Sequence, residues 1–270
     1  VFSWVNAELA QSRASAARIA RVLAAPPAVT GGDRPLPQPV RGGVRLRGVS
    51  HGGLRGVDLD LAPGEMIGVA ATDPADAAAL LRCLSRQADP DTGVVELDGV
   101  TMRDLDPADI RMAVLVAEHD ADLFEGTLHD NVGAAAPGSA DPARAMAAAG
   151  ADEIARTLPG GGDAAVSERG RSLSGGQRQR VALARALAAD RPVLVVHDPT
   201  TAVDAVTEAR IAAGIREIRR DRTTILVTTS PALLTVADRV VLLDGGRVVD
   251  EAPHAELIRR HALYRTAVLA

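Results

Sequence analysis

The sequence predicts an α/β protein built around a largely parallel sheet. The runs EMIGVAA (65–71), PVLVVH (192–197) and TTILVTT (223–229) are almost unbroken in apolar or β-branched residues, as strands buried on both faces are. Helical patterns separate them, at 76–86, 176–189 and 204–220. Buried strands each followed by a helix imply crossover connections and therefore parallel pairing. Hydrophobic residues make up 47% of the 270 residues and aromatics 1%, so a full core must be assembled from Leu, Val, Ile and Ala.

Taken in order, residues 1–25 read as a helix, with Leu9, Ala16, Ile19, Val22 and Leu23 at imperfect three–four spacing. Pro26 to Pro39 is a Pro/Gly-rich stretch that blocks regular structure. VRLRGV (44–49) and VDLDLA (57–62) alternate apolar and polar residues, as half-buried strands do. GVAATDPADAAALLRCL (68–84) runs from a strand through a turn into a helix. There Asp73 suits the N-cap, Pro74 the first helical position and Asp76 the first turn. Cys83, beside Leu80, Leu81 and Leu84, reads as a small core residue. VVLLDGGRVVDEA (240–252) predicts a hairpin turning at Gly245-Gly246, and HAELIRRHALYRTAV (254–268) a closing helix. His51, His129, His254 and His261 read as loop or surface residues.

The net charge of −5 offers no basic field for nucleic acid. All 30 basic residues are arginine; there is no lysine. One cysteine excludes a disulfide framework and suits a reducing compartment. No run of about 18 apolar residues is present to span a membrane. The chain begins at Val1 rather than Met, and its expected place is the C-terminal part of a longer protein.

LSGGQRQRVALARALAADRPVLVVHDPTTAVD (173–204) is the most informative segment. Ser174, Gly175 and Gly176 precede a long helix whose free N–H groups and dipole suit an anion. On its own this is an ordinary helix cap. Followed by an Arg/Ala-rich helix, a buried strand and DPT, it resembles the signature helix, Walker B strand and D-loop of ATP-binding-cassette (ABC) transporters. LFEGTLHDNV (123–132), SERGRSLSGGQ (167–177), ADRVVLLDGGRVVDEAPHAELIRRHALYR (237–265) and AQSRASAARIARVLAAPP (10–27) resemble exporter segments, so the likeness covers nearly the whole chain. It implies a RecA-like P-loop NTPase core with a parallel sheet, an antiparallel β subdomain and an α-helical signature subdomain. The implied layout is a helical extension (1–25) from an absent transmembrane domain, a linker (26–43) and a nucleotide-binding domain (44–270), its helical subdomain at about 122–180.

In that family two cassettes pair head to tail, and each ATP lies between one cassette's Walker motifs and the other's signature. Aligned on Gly68, the Walker A lysine falls at Ala77 and the magnesium-binding serine at Ala78, while loop glycines become Ala71, Pro74 and Asp76. The expectation is that Asp73 and Asp76 occupy the helix's anion site and repel a triphosphate. His197 falls at the magnesium-binding Asp and Asp198 at the catalytic Glu, one methylene short. His119 falls at the Q-loop glutamine, with Glu118 the alternative register, and Thr229 at the switch histidine. Near VSHGGLRGV (49–57) no aromatic remains to stack adenine. Phosphoryl transfer needs these positioning and charge-neutralising groups together.

The resemblance thus implies a degenerate subunit of a heterodimeric exporter. Ser174, Gly175, Gly176 and Gln177 would cap ATP, with Mg²⁺, held by a partner cassette with intact Walker motifs, and Asp204 of the D-loop would support contact across the interface. Hydrolysis is expected only at that composite site, with weak or no nucleotide on this chain's own side. Attachment through a transmembrane domain of the same or a paired chain would put the cassette at the cytoplasmic face of the cell membrane. Two other readings stand beside it: a self-sufficient ATPase using Asp198, and a non-catalytic regulatory or interaction cassette. His119 and His197 with Asp198 would also suit zinc or another transition metal, against the alternative of a hydrogen-bonded polar filler.

Overall fold

The computed structural model describes residues 3–120, 122–138 and 140–269. The chain divides after Thr30 into two compact units. The first contains helix α1 (Ser3–Leu23), on which Trp4, Leu9, Ile19, Val22 and Leu23 are exposed.

The second unit runs in order through β1 (Val44–His51), β2 (Leu54–Leu61), β3 (Met66–Ala71), α2 (Pro74–Leu84), β4 (Thr92–Leu97), β5 (Val100–Thr101), α3 (Pro107–Ala113) and β6 (Val114–Ala117). Next come β7 (Gly126–Thr127), α4 (Leu128–Gly133), α5 (Pro142–Ala148), α6 (Ala151–Thr157), β8 (Ala165–Val166), α7 (Gly175–Ala188), β9 (Val193–His197) and α8 (Ala205–Ile218). It closes with β10 (Thr223–Val227), α9 (Pro231–Thr235), β11 (Arg239–Asp244), β12 (Arg247–Ala252), α10 (His254–Arg260) and α11 (Ala262–Leu269).

The central sheet has the order β12-β11-β3-β10-β9-β6. Its pairings are parallel except β11–β12, the hairpin expected at Gly245-Gly246. Alternate side chains feed opposite layers. Ile67, Val69, Val193, Val195, Ile225 and Val227 join α2 and the β1–β2–β4 strands in one core. Met66, Leu194, Val196 and Leu226 face α4, α5, α7 and α8 in a second. Both faces are covered, which is why these strands read as unbroken apolar runs. The antiparallel sheet has the order β2-β1-β4-β5. Residues 31–43 carry no helix or strand of their own but pack with this body: Leu36 is buried, and Asp98 accepts hydrogen bonds from the amides of Arg41, Gly42 and Gly43.

Two sequence expectations need correction. The C-terminal segment is two helices, because His261 adopts an extended backbone (φ −115°, ψ 106°) that ends α10. His254 and His51 are not surface residues. His254 is half-buried against Tyr264, whose hydroxyl lies 2.6 Å from His254 Nδ1. The His51 side chain keeps only 17% of its surface exposed, 3.5 Å from Asp91.

Burial holds the His254 pKa below the usual 6.5. As pH falls, the unfolded chain therefore takes up this proton first. The stability His254 contributes is complete above about pH 6.5 and is lost on descending through the depressed folded value. A His254→Gln variant should lose less melting temperature than the parent between about pH 7.5 and 5, measured by circular dichroism.

Candidate functional site

The turn from β3 into α2 is where a phosphate loop would sit, and the sequence makes it a self-capped helix start instead. Asp73 is the N-cap, its Oδ1 accepting from the Ala75 amide at 2.8 Å, with Pro74 at the first helical position. Ala77 is buried in the core and Ala78 is exposed. Asp76 does not occupy the anion site expected of it. It is 3% exposed and turns away, accepting from the Gly246 amide at 2.7 Å in the β11–β12 turn. Its Oδ1 fills the space where any side chain at Gly53 would begin, while Gly53 in turn packs against Gly246. Thr72 adds a second tie to the same hairpin, through its hydroxyl to Asp244 Oδ1 (2.5 Å) and its amide to the Leu243 carbonyl (3.0 Å). Of the two acidic residues, only Asp73 stays at the helix start, exposed to solvent.

At the C-terminal end of the sheet, β9 delivers His197 and Asp198. The Asp198 amide donates to the Val227 carbonyl at 3.0 Å, continuing the parallel β9–β10 ladder by one bond. Asp198 has φ +43°, a left-handed conformation that aspartate tolerates better than most residues. Its carboxylate is 3.6 Å from His197 Nε2. His119 meets His197 edge to face, ring centroids 5.4 Å apart at 86°. Thr229, just beyond β10, is exposed. The two histidines, set apart in the sequence at 119 and 197, come together in the structure. Among the described residues no group of three or more His, Cys, Asp or Glu is arranged to hold an ion, and imidazoles packed edge to face do not converge lone pairs on one point.

His119, Glu118 and His197 line a cleft of about 620 Å³ between β6 and α7, with Phe124, Gln179 and Arg185 on its other walls. Arg185 stacks over Phe124 at 4.9 Å and donates from Nη2 to the Asp122 carbonyl. Its Nη1 is buried without a hydrogen-bond partner among the described residues, and burial pulls its pKa below the ordinary value. Sequence reading missed Arg185, since nothing local distinguishes it from the other arginines of α7.

The start of α7 is a complete capping box. Ser174 Oγ accepts from the Gln177 amide (3.3 Å), and Gln177 Oε1 accepts from the Ser174 amide (2.9 Å). This S-x-x-Q arrangement satisfies two donors reciprocally and leaves those of Gly175 and Gly176 for a ligand. Gly175 has no atom within 4 Å of where a Cβ would stand, so the backbone there is open to approach. Gly176 instead lies against the loop after β9: a Cβ on it would fall 2.3 Å from the Ala202 carbonyl oxygen. Asp204 ends that loop as the N-cap of α8, accepting from Val206 (3.1 Å) and Thr207 (2.9 Å), so its carboxylate is engaged within its own chain.

A capped turn after β3, Asp198 at the end of β9 and a glycine pair at the head of α7, open to approach at Gly175, are arranged as the parts of a nucleotide-binding cassette. The family model described as ABC transporter matches residues 54–201. The chain belongs to the ABC transporter family. The cassette is 35% identical over 248 residues to an ATP-dependent lipid A-core flippase of Bordetella pertussis, covering 88% of this chain and 40% of that protein. It is 36% identical over 263 residues to a multidrug efflux ATP-binding/permease protein of Mycobacterium tuberculosis, covering 94% of this chain and 22% of that one. The cassette thus spans less than half the length of these relatives. Its fold matches the structure of a bacterial Atm1-family ABC exporter with ATP bound, at a TM-score of 0.86 and 28% identity over 96% of this chain and 47% of that one. The ABC ATPase fold expected from the sequence is therefore the fold observed. Among the described residues of the cassette, no helix is long and apolar enough to cross a membrane.

Proposed function

We propose that this cassette is the degenerate half of a heterodimeric ABC exporter, lending the head of α7 to ATP held by a second, intact cassette. One contrast carries the reading. Ser174, Gly175, Gly176 and Gln177 keep a capped helix start that suits an anion and is open to approach at Gly175. Positions 77 and 78, where lysine and serine would hold phosphate and magnesium, are both alanine, and the chain has no lysine to substitute. A domain losing all function would blur both sides alike.

In this reading ATP and Mg²⁺ reside mainly on the partner, and hydrolysis occurs at one composite site per pair. Asp198 retains a carboxylate near the hydrolytic position but lacks the groups that would bring a phosphate to it. The names of the relatives, a lipid A-core flippase and a multidrug efflux protein, support an exporter driven from the cytoplasmic face of the membrane. Its transmembrane domain would be supplied by the same or a paired chain. The expected partner is a cassette with intact Walker motifs, and a gene neighbouring this one is the place to look for it.

Calorimetric titration of this chain with Mg–ATP tests the reading. The expected result is no saturable binding up to about 1 mM, since an affinity of that order leaves only about 4 kcal/mol of binding energy. Micromolar affinity, with turnover by the chain alone, would overturn the reading in favour of a self-sufficient ATPase.

A further inference from the structure

The loop between β9 and α8 is anchored at both ends by its own side chains. At one end the Thr200 hydroxyl donates to Glu208 Oε1 at 2.6 Å. At the other, Asp204 caps α8. The residues between, Thr201 to Val203, cross the first turn of α7, where Gly176 allows the Ala202 carbonyl to approach closely. Gln179 grips this middle stretch. Its Oε1 accepts from the Ala202 amide at 3.1 Å, and its Nε2 donates to Thr201 Oγ1 at 2.7 Å. The orientation of the amide is forced, because a backbone N–H must meet the oxygen end.

We infer that Gln179 is a positioning residue that fastens the 199–204 loop to the head of α7, so that Ser174 and Asp204 are presented to a partner as one surface. The inference rests on the trans reading above and adds a component to it. Thr201 and Ala202 are exposed and Gln179 is half-buried, so packing alone holds this stretch weakly. A loop end that drifts by about 1 Å is enough to lower the rate of a positioned reaction substantially. Misplacement of this kind lowers turnover while leaving most ground-state ATP contacts, which the reading places on the other cassette's Walker motifs, in place.

Two variants separate hydrogen bonding from packing. Gln179→Met keeps the volume and loses both bonds. Gln179→Glu keeps an acceptor for the Ala202 amide and can accept from the Thr201 hydroxyl. In the full chain, amide exchange at Ala202 should rise about tenfold in the Met variant and stay near the parent value in the Glu variant. In the complex with the intact cassette, Met should lower kcat about tenfold with the KM for ATP within about twofold, and Glu should restore kcat. Unchanged exchange in the Met variant overturns the latch. Faster exchange with kcat unchanged, or a KM effect alone, overturns the positioning role, provided Ser174→Asp still abolishes turnover. Turnover indifferent to both Ser174→Asp and Gln179→Met overturns the trans reading, and this inference with it.

Discussion

Ser174→Asp in the assembled complex should lower ATP turnover by about 10²-fold or more while leaving the cassette's melting temperature nearly unchanged. Aspartate caps a helix about as well as serine, so the bond to the Gln177 amide and the start of α7 survive. What changes is charge. A carboxylate would stand at the positive end of α7, where the reading places the partner's terminal phosphate, and two anions in a water-poor interface repel strongly. Ser174→Ala is the complementary variant. It removes the cap, at about 1 kcal/mol of stability, and one donor to the phosphate. The trans role requires the Asp variant to be the more damaging to turnover and the Ala variant the more damaging to stability. The opposite order would make Ser174 a helix cap and nothing more.

The second large effect is on stability. Arg219, at the end of α8, has a side chain only 1% exposed. Its guanidinium donates to the carbonyls of Arg191 (2.8 Å), Thr223 (2.9 Å) and Pro192 (3.4 Å) and to the Thr224 hydroxyl (3.1 Å). These acceptors lie at the N-terminal ends of β9 and β10, so one side chain pins the two strands that carry His197 and Thr229 at their far ends. Burial lowers the guanidinium to about 10, which still leaves it charged near neutral pH. Arg219→Met fills the space but strands buried carbonyls. The expected cost is about 3 kcal/mol, or a fall of about 10 °C in melting temperature for a domain of this size. Lysine, which cannot fork between carbonyls, should recover only part of it. A thermal melt that moves by less than about 2 °C would show that water satisfies those carbonyls instead.

The parts of the fold legible in the sequence were those with a long local signal. β3, β9 and β10 announced themselves as apolar runs, and the hairpin by Gly245-Gly246. β6, with four residues, is too short to have a period of its own, and the β7–β8 pairing joins segments some forty residues apart. The capping roles of Asp73 and Ser174 were legible because a cap acts over three residues. Asp76 was not: its partner, Gly246, lies 170 positions away, and no local pattern indicates that the carboxylate turns inward. Gln179 escaped notice for the same reason, with its two contacts 22 and 23 residues downstream. Read alone, its polarity looked like that of any solvated face.

The inward turn of Asp76 also couples positions far apart in the chain. Its carboxylate now holds the β11–β12 turn and leaves no room for a side chain at residue 53. A side chain placed at residue 53 would meet the Asp76 carboxylate, and glycine at position 76 would leave the Gly246 amide without its acceptor. A lysine at 77 would enter a site that is 5% exposed. Residues 53, 76 and 246 therefore behave as one unit, in which a change at any one is felt by the other two. The three positions form an interlock, in which one can be replaced at little cost only when the others are replaced with it.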